Sequence, residues 1–121
     1  MNRTRRYRNS ALSYAFLQRH ESRTVFIGLA DEYEDFRKMY RVNMPHYLPK
    51  DFLQAARAIA ACRLFIGNQS SCFAIAEGLK VPRVLEVFPQ APNVIPNGPH
   101  GFEAISQILF ESIVAELTHN N

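Results

Sequence analysis

The spacing of apolar residues changes from segment to segment, and the changes divide the chain into alternating helices and strands. Ser10 can cap a helix running through about His20, with Leu12, Ala15, Phe16 and Leu17 on its apolar side. Residues 24–29, TVFIGL, form a short β-branched and apolar run that reads as a buried strand. Asp31 and Glu34 have capping-box spacing and open a helix on which Tyr33, Phe36 and Tyr40 share one face. Residues 42–49 hold two prolines and read as a short edge strand followed by a turn. Asp51 and Gln54 repeat the capping spacing, and Phe52, Ala55, Ala56, Ile59 and Ala60 recur at helical intervals. Residues 63–66 read as a second buried strand, ended by Gly67 and Asn68. The next helix runs through Leu79, burying Cys72, Ile75, Ala76 and Leu79, and Pro82 stops it. Residues 83–88 read as a third strand, and 89–101, with four prolines and two glycines, as a loop. Residues 102–117 close the chain as a helix burying Ile105, Ile108, Leu109 and Ile113.

Strands alternating with helices imply βαβ units. The expected fold is therefore α/β, a three-layer, Rossmann-like domain over the whole chain, with a parallel sheet covered on both faces. Such sheets bind ligands at the carboxyl ends of their strands, in loops that open helices. The loop Gly67, Asn68, Gln69, Ser70, Ser71 fits that rule. Its glycine permits close backbone approach, and the free amides of the next helical turn carry partial positive charge. With the two serine hydroxyls this makes a phosphate cradle; the plainer alternative is that Asn68 or Ser70 only caps the helix.

Composition narrows the function classes. Of 121 residues, 47% are hydrophobic and 21% charged, which is globular rather than disordered. No apolar run reaches the roughly 18 residues of a membrane helix, and the basic, polar start lacks a secretory pattern, so a cytoplasmic protein is expected. Cys62 and Cys72 sit in apolar stretches and read as reduced thiols. His20, His46, His100 and His119 form no metal-binding pair, and neither a metal nor a cofactor is expected. Much of the basic charge lies at the start, in Arg3, Arg5, Arg6 and Arg8. That cluster reads either as a local anion site or as a flexible basic tail over residues 1–9, rather than as a nucleic-acid face. Glu86, at a strand end, reads as a ligand contact or a structural carboxylate, and His100 as part of a loop covering the site or as a plain exposed histidine.

Residues 51–85, DFLQAARAIAACRLFIGNQSSCFAIAEGLKVPRVL, resemble the C-terminal, donor-binding domain of the lipopolysaccharide heptosyltransferase family of glycosyltransferases, which has the GT-B fold. Gly67, Asn68 and Ser70 match that family's Gly-Asn-Asp-Ser-Gly loop. Ala76, Leu79 and Pro82 match its alanine-rich helix and the Leu-Gly-x-Pro segment behind that helix. Upstream, GLADEYEDF resembles the family's strand-end glycine and acidic helix start. The resemblance implies a nucleoside-diphosphate-sugar site. Glu32 would face the donor nucleoside, Arg3, Arg5 and Arg6 the diphosphate, and Gly67, Asn68, Gln69, Ser70 and Ser71 would form the phosphate loop. Gln69 replaces the loop aspartate, Ser71 the second glycine, and Ala74 a histidine, while the first strand is missing or reduced to the residues near Met1. The family's acceptor-binding domain and catalytic base have no counterpart in these residues, so no catalytic residue is assigned. Transfer is expected only with an acceptor-binding domain from a partner or a longer parent. The alternatives are a non-catalytic nucleotide- or anion-binding module, self-associating or not, and a structural or interaction domain that keeps only the scaffold.

Overall fold

The computed structural model describes residues 1–92 and 94–119. Strands β1 (Phe26–Ile27) and β2 (His46–Tyr47) pair in parallel, Phe26 opposite His46. A second parallel sheet runs β3 (Phe65–Gly67), β4 (Arg83–Glu86), β5 (Gly101–Ala104). Helices α1 (Ala30–Tyr40), α2 (Phe52–Ala60), α3 (Ser71–Leu79) and α4 (Gln107–Thr118) intervene, and 3-10 turns over Ala15–Arg23 precede β1.

The strands read at 24–29, 63–66 and 83–88 thus divide between two sheets, and the first two residues of the chain join them. The Met1 ammonium donates to the Val25 carbonyl at 2.7 Å, and the Ile27 amide to the Met1 carbonyl at 2.8 Å. On the other side the Asn2 amide donates to the Ile66 carbonyl at 3.0 Å, and Asn2 bridges Gly67 in parallel. The spatial order is β2, β1, residues 1–2, β3, β4, β5. The beginning of the chain is therefore packed, not a flexible tail: Met1, Asn2 and Arg3 are all buried.

Successive strand residues point to opposite faces, and the core splits accordingly. Phe26, Ile66, Val84 and Ala104 pack with Leu17, Phe36, Phe110 and Val114. Ile27, Phe65 and Leu85 pack with Ala55, Ile59, Phe73 and Ala76. Each large apolar side chain buried in this way contributes roughly 1.5–3 kcal/mol.

Several boundaries depart from the pattern. No helix begins at Ser10, because tertiary bonds hold that segment: the Asn9 amide donates to Glu86 and the Ser13 amide to Gln107. In α1 it is Glu32, not Glu34, that reaches back, accepting the Leu29 amide at 3.0 Å. Asp51 caps α2 as expected, accepting the Gln54 amide at 2.8 Å, but Phe52 stays 72% exposed. Ser70 caps α3, whose buried residues are Phe73 and Ala76, while Leu79 is exposed. The closing helix starts late. Residues 101–104 pair with β4 instead, Ser106 caps α4, and the buried side is Phe110, Ile113 and Val114 rather than Ile105, Ile108 and Leu109. Position 93, within the expected loop 89–101, lies outside the described residues.

Candidate functional site

The carboxyl ends of β1 and β3 flank the point where the chain leaves Asn2, and the candidate residues gather there. Gly28 follows β1 with a φ of 150°, and a Cβ on it would stand 2.6 Å from Asn2 Nδ2 and 2.8 Å from Glu32 Oε1. At Gly67 a Cβ would stand 2.7 Å from the Asn2 carbonyl oxygen. Both glycines are thus demanded by close approach to the first strand-like segment. Glu32 lies on this same edge, and its charge reaches the Cys72 thiol at the start of α3. Burial is the main cause that pushes that thiol up.

Beyond Asn2 the chain crosses the carboxyl edge, tied down by two polar clusters. In the first, Arg3 Nε and Nη2 donate to the two oxygens of Glu86 at 2.8 and 2.9 Å. Glu86 also accepts the Asn9 amide at 2.6 Å and the Tyr14 hydroxyl at 2.8 Å. The Arg3 guanidinium lies over the Tyr14 and Tyr40 rings, 4.9 and 5.4 Å from their centroids. Burial alone would lower the Arg3 pKa, but the bonds and charge of Glu86 outweigh it and the net shift is upward. Burial, then the Glu86 charge, pushes the Tyr14 phenol well above its usual range and keeps its proton for donation. Glu86 is therefore a structural carboxylate, and Arg3, one of the expected diphosphate contacts, is committed to it.

In the second cluster, Asn68 Oδ1 accepts the Thr4 amide at 3.0 Å, and Nδ2 donates to the Arg6 carbonyl at 2.7 Å and the Thr4 carbonyl at 3.2 Å. Asn68 is fully buried and acts as a latch between the end of β3 and residues 4–6. It does not cap α3; Ser70 does, its Oγ accepting the Phe73 amide at 3.2 Å.

What stays open at this edge is smaller than the expected set. Among the described residues the Ser71 and Cys72 amides, in the first turn of α3, donate no hydrogen bond. Ser71 is exposed and Gln69 buried. Arg5 and Arg6 are exposed, Arg6 bonded to the Tyr7 hydroxyl at 2.9 Å. Arg8 pairs with Asp35 at 2.5 Å, and its hydrogen bond is the first cause holding that carboxyl below its ordinary range.

One participant was missed by sequence reasoning. Asn2 donates Nδ2 to the Ile27 carbonyl at 2.7 Å, but its buried Oδ1 has no partner among the described residues. Buried acceptors are rarely left so, and this one lies between β1 and β3. No periodicity marks a two-residue segment, so nothing local could have singled it out.

His100 does not cover the site. Its carbonyl accepts the Arg83 amide just before β5, at the amino edge of the sheet and opposite the 67–71 loop. Tyr33 stacks on His46 at 4.6 Å and donates to the Met44 carbonyl, a packing role. Among the described residues no group of three or more His, Cys, Asp or Glu could hold a metal ion, and no helix is long and apolar enough to cross a membrane. No protein-family model matches this chain, and neither a curated protein nor a solved structure does.

Proposed function

We propose that this chain is a glycosyltransferase-like donor domain that binds a nucleoside-diphosphate sugar at the carboxyl edge of its sheet. On this reading the fold is a three-layer, Rossmann-like half of a GT-B architecture. One observation carries it. Counting residues 1–2 as the first strand, the spatial order is 3-2-1-4-5-6, the doubly wound order whose ligand crevice opens where the strand order reverses. Here that point lies between Asn2 and β3, where the first turn of α3 presents the open Ser71 and Cys72 amides.

The chemistry of that edge suits a diphosphate. The helix start offers backbone donors and a partial positive charge, and Arg5 and Arg6 add exposed cations. Glu32, already bonded to the Leu29 amide through Oε1, has a second oxygen for a ribose hydroxyl. Arg3 and Asn68 build the floor of the site rather than touching the ligand. The resemblance assigns the base for an acceptor to the other domain and to no carboxylate of this chain, so transfer would require a second, acceptor-binding domain. A non-catalytic nucleotide-binding module is the second reading, favoured by the commitment of Arg3 to Glu86.

The test is a thermal-shift panel of nucleoside-diphosphate sugars with purine and pyrimidine bases. A true ligand at 100 times its Kd adds about 2.7 kcal/mol, on the order of 10 °C in Tm. No shift with any member at millimolar concentration and low salt would overturn the donor reading.

A further inference from the structure

Helix α4 is apolar on both sides. Phe110, Ile113 and Val114 face the core, while Ile108 is 83% exposed, Leu109 40%, and Ile105, just ahead of the helix, 60%. A helix that is apolar all round is a buried helix, so this outer face calls for a cover. We infer that it is the interface of a two-fold dimer, in which the α4 helices of two copies of this chain pack antiparallel. The inference goes beyond the donor-site reading and does not rest on it.

The face has the spacing of a helix-packing seam. Ile105, Ile108, Ser112 and Ala115 follow one another by three, four and three residues, and all are exposed. Large side chains occupy the first half of the seam and small ones the second. A two-fold axis uses the same surface on both copies, so that surface must complement itself. With the axis beside position 110, midway along the seam, Ile108 lies opposite Ser112 of the second copy, and Ile105 opposite its Ala115. Every large side chain then meets a small one, the arrangement by which packed helices interdigitate. A parallel pairing would set isoleucine on isoleucine and leave a gap between the small halves.

Shape and charge agree with this register. A groove of about 390 Å³ runs beside the helix, with Ile108, Ser112 and Ala115 on one wall and Phe16 and Arg19 on the other. Ile108 of the second copy, opposite Ser112, projects into it. Glu116 is exposed and falls at the amino end of the second copy's α4, where the helix dipole is positive. Glu111 approaches its own counterpart across the axis, but Arg19 at 3.1 Å and Gln107 at 2.8 Å already hold it. One helix pair lies at the small end of specific interfaces, below about 1,200 Å² in total, so the dimer is a weak and concentration-dependent one.

The experiment is sedimentation equilibrium of the full chain from about 10 μM to about 1 mM, the range of weak interfaces. Reductant is present, so that the free Cys62 and Cys72 form no link between copies. The expected result is a reversible equilibrium between monomer and dimer. Ile108→Glu, at an exposed position, should weaken the dimer at least tenfold and leave the urea midpoint of the monomer unchanged. Ser112→Leu sets large on large and should also weaken it at least tenfold. Adding Ile108→Ala to Ser112→Leu again opposes a large residue to a small one, and should recover most of that loss. A chain that stays monomeric at the top of the concentration range overturns the inference. So does a dimer that Ile108→Glu leaves intact, or a failure of Ile108→Ala to rescue Ser112→Leu.

Discussion

Replacing Arg3 by Met tests whether this arginine is scaffold or ligand contact. The change keeps an apolar stem as far as the Nε position and removes the charge and the two bonds to Glu86, at 2.8 and 2.9 Å. Glu86 has no exposure and would keep only the Asn9 amide and the Tyr14 hydroxyl. Removing one member of a buried pair costs about 3–5 kcal/mol, because the charge left behind is uncompensated. Lost packing of the guanidinium on Tyr14 and Tyr40 adds to this. Domains of this size have net stabilities of about 5–15 kcal/mol, so the loss is a large fraction of the whole. Urea unfolding should show the midpoint falling by roughly 2 M with the m-value unchanged. The double variant Arg3→Met/Glu86→Gln should recover at least half of the loss, since it removes the stranded charge. If Arg3→Met costs less than about 1 kcal/mol, Arg3 is not structural, and its assignment to the scaffold is wrong.

Other consequences are open to measurement. Burial raises the Glu77 carboxyl, but hydrogen bonds from Arg83, Lys80 and the Asn97 amide outweigh it and hold it at about 2. Its folded value is depressed, so its contribution, at most about 3 kcal/mol, is present above pH 4.5 and lost as pH falls toward 2. Acid unfolding curves should therefore flatten in that window for Glu77→Gln, and an unchanged curve would contradict the assignment. Asn68→Ala removes the latch to Thr4 and Arg6 and should cost about 2–4 kcal/mol, with faster amide exchange in residues 4–8. Unchanged exchange there would show that the latch is not needed. The isolated chain should transfer no sugar from labelled donors; clear turnover would mean a complete active site here and would defeat the two-domain account.

The helices were legible where a local device starts them. Asp51 and Ser70 are real caps, and α2 and α3 run from them. What escaped was set by distant partners. β5 was hidden because Phe102 and Ala104 alternate over only four residues and merge with the apolar run of α4. The central segment of the sheet is two residues long, too short for any period to show. Arg3 and Glu86 are 83 positions apart, so a cluster of arginines with no visible partner read as free charge. The same distance effect hid the latch from Asn68 to Thr4, which turned an expected ligand contact into scaffold. Local pattern reports capping and periodicity; it is silent on which polar groups meet across the sheet.

The most direct measurement of the central claim is an amide-resolved NMR titration of the chain with nucleoside-diphosphate sugars at low and high salt. The account predicts saturable shifts at Ser71 and Cys72 and at Leu29 and Glu32, with affinity falling as salt rises, because backbone donors and exposed arginines carry the binding. Shifts absent from these amides, or confined to the amino edge around Val25 and Leu64, would contradict it.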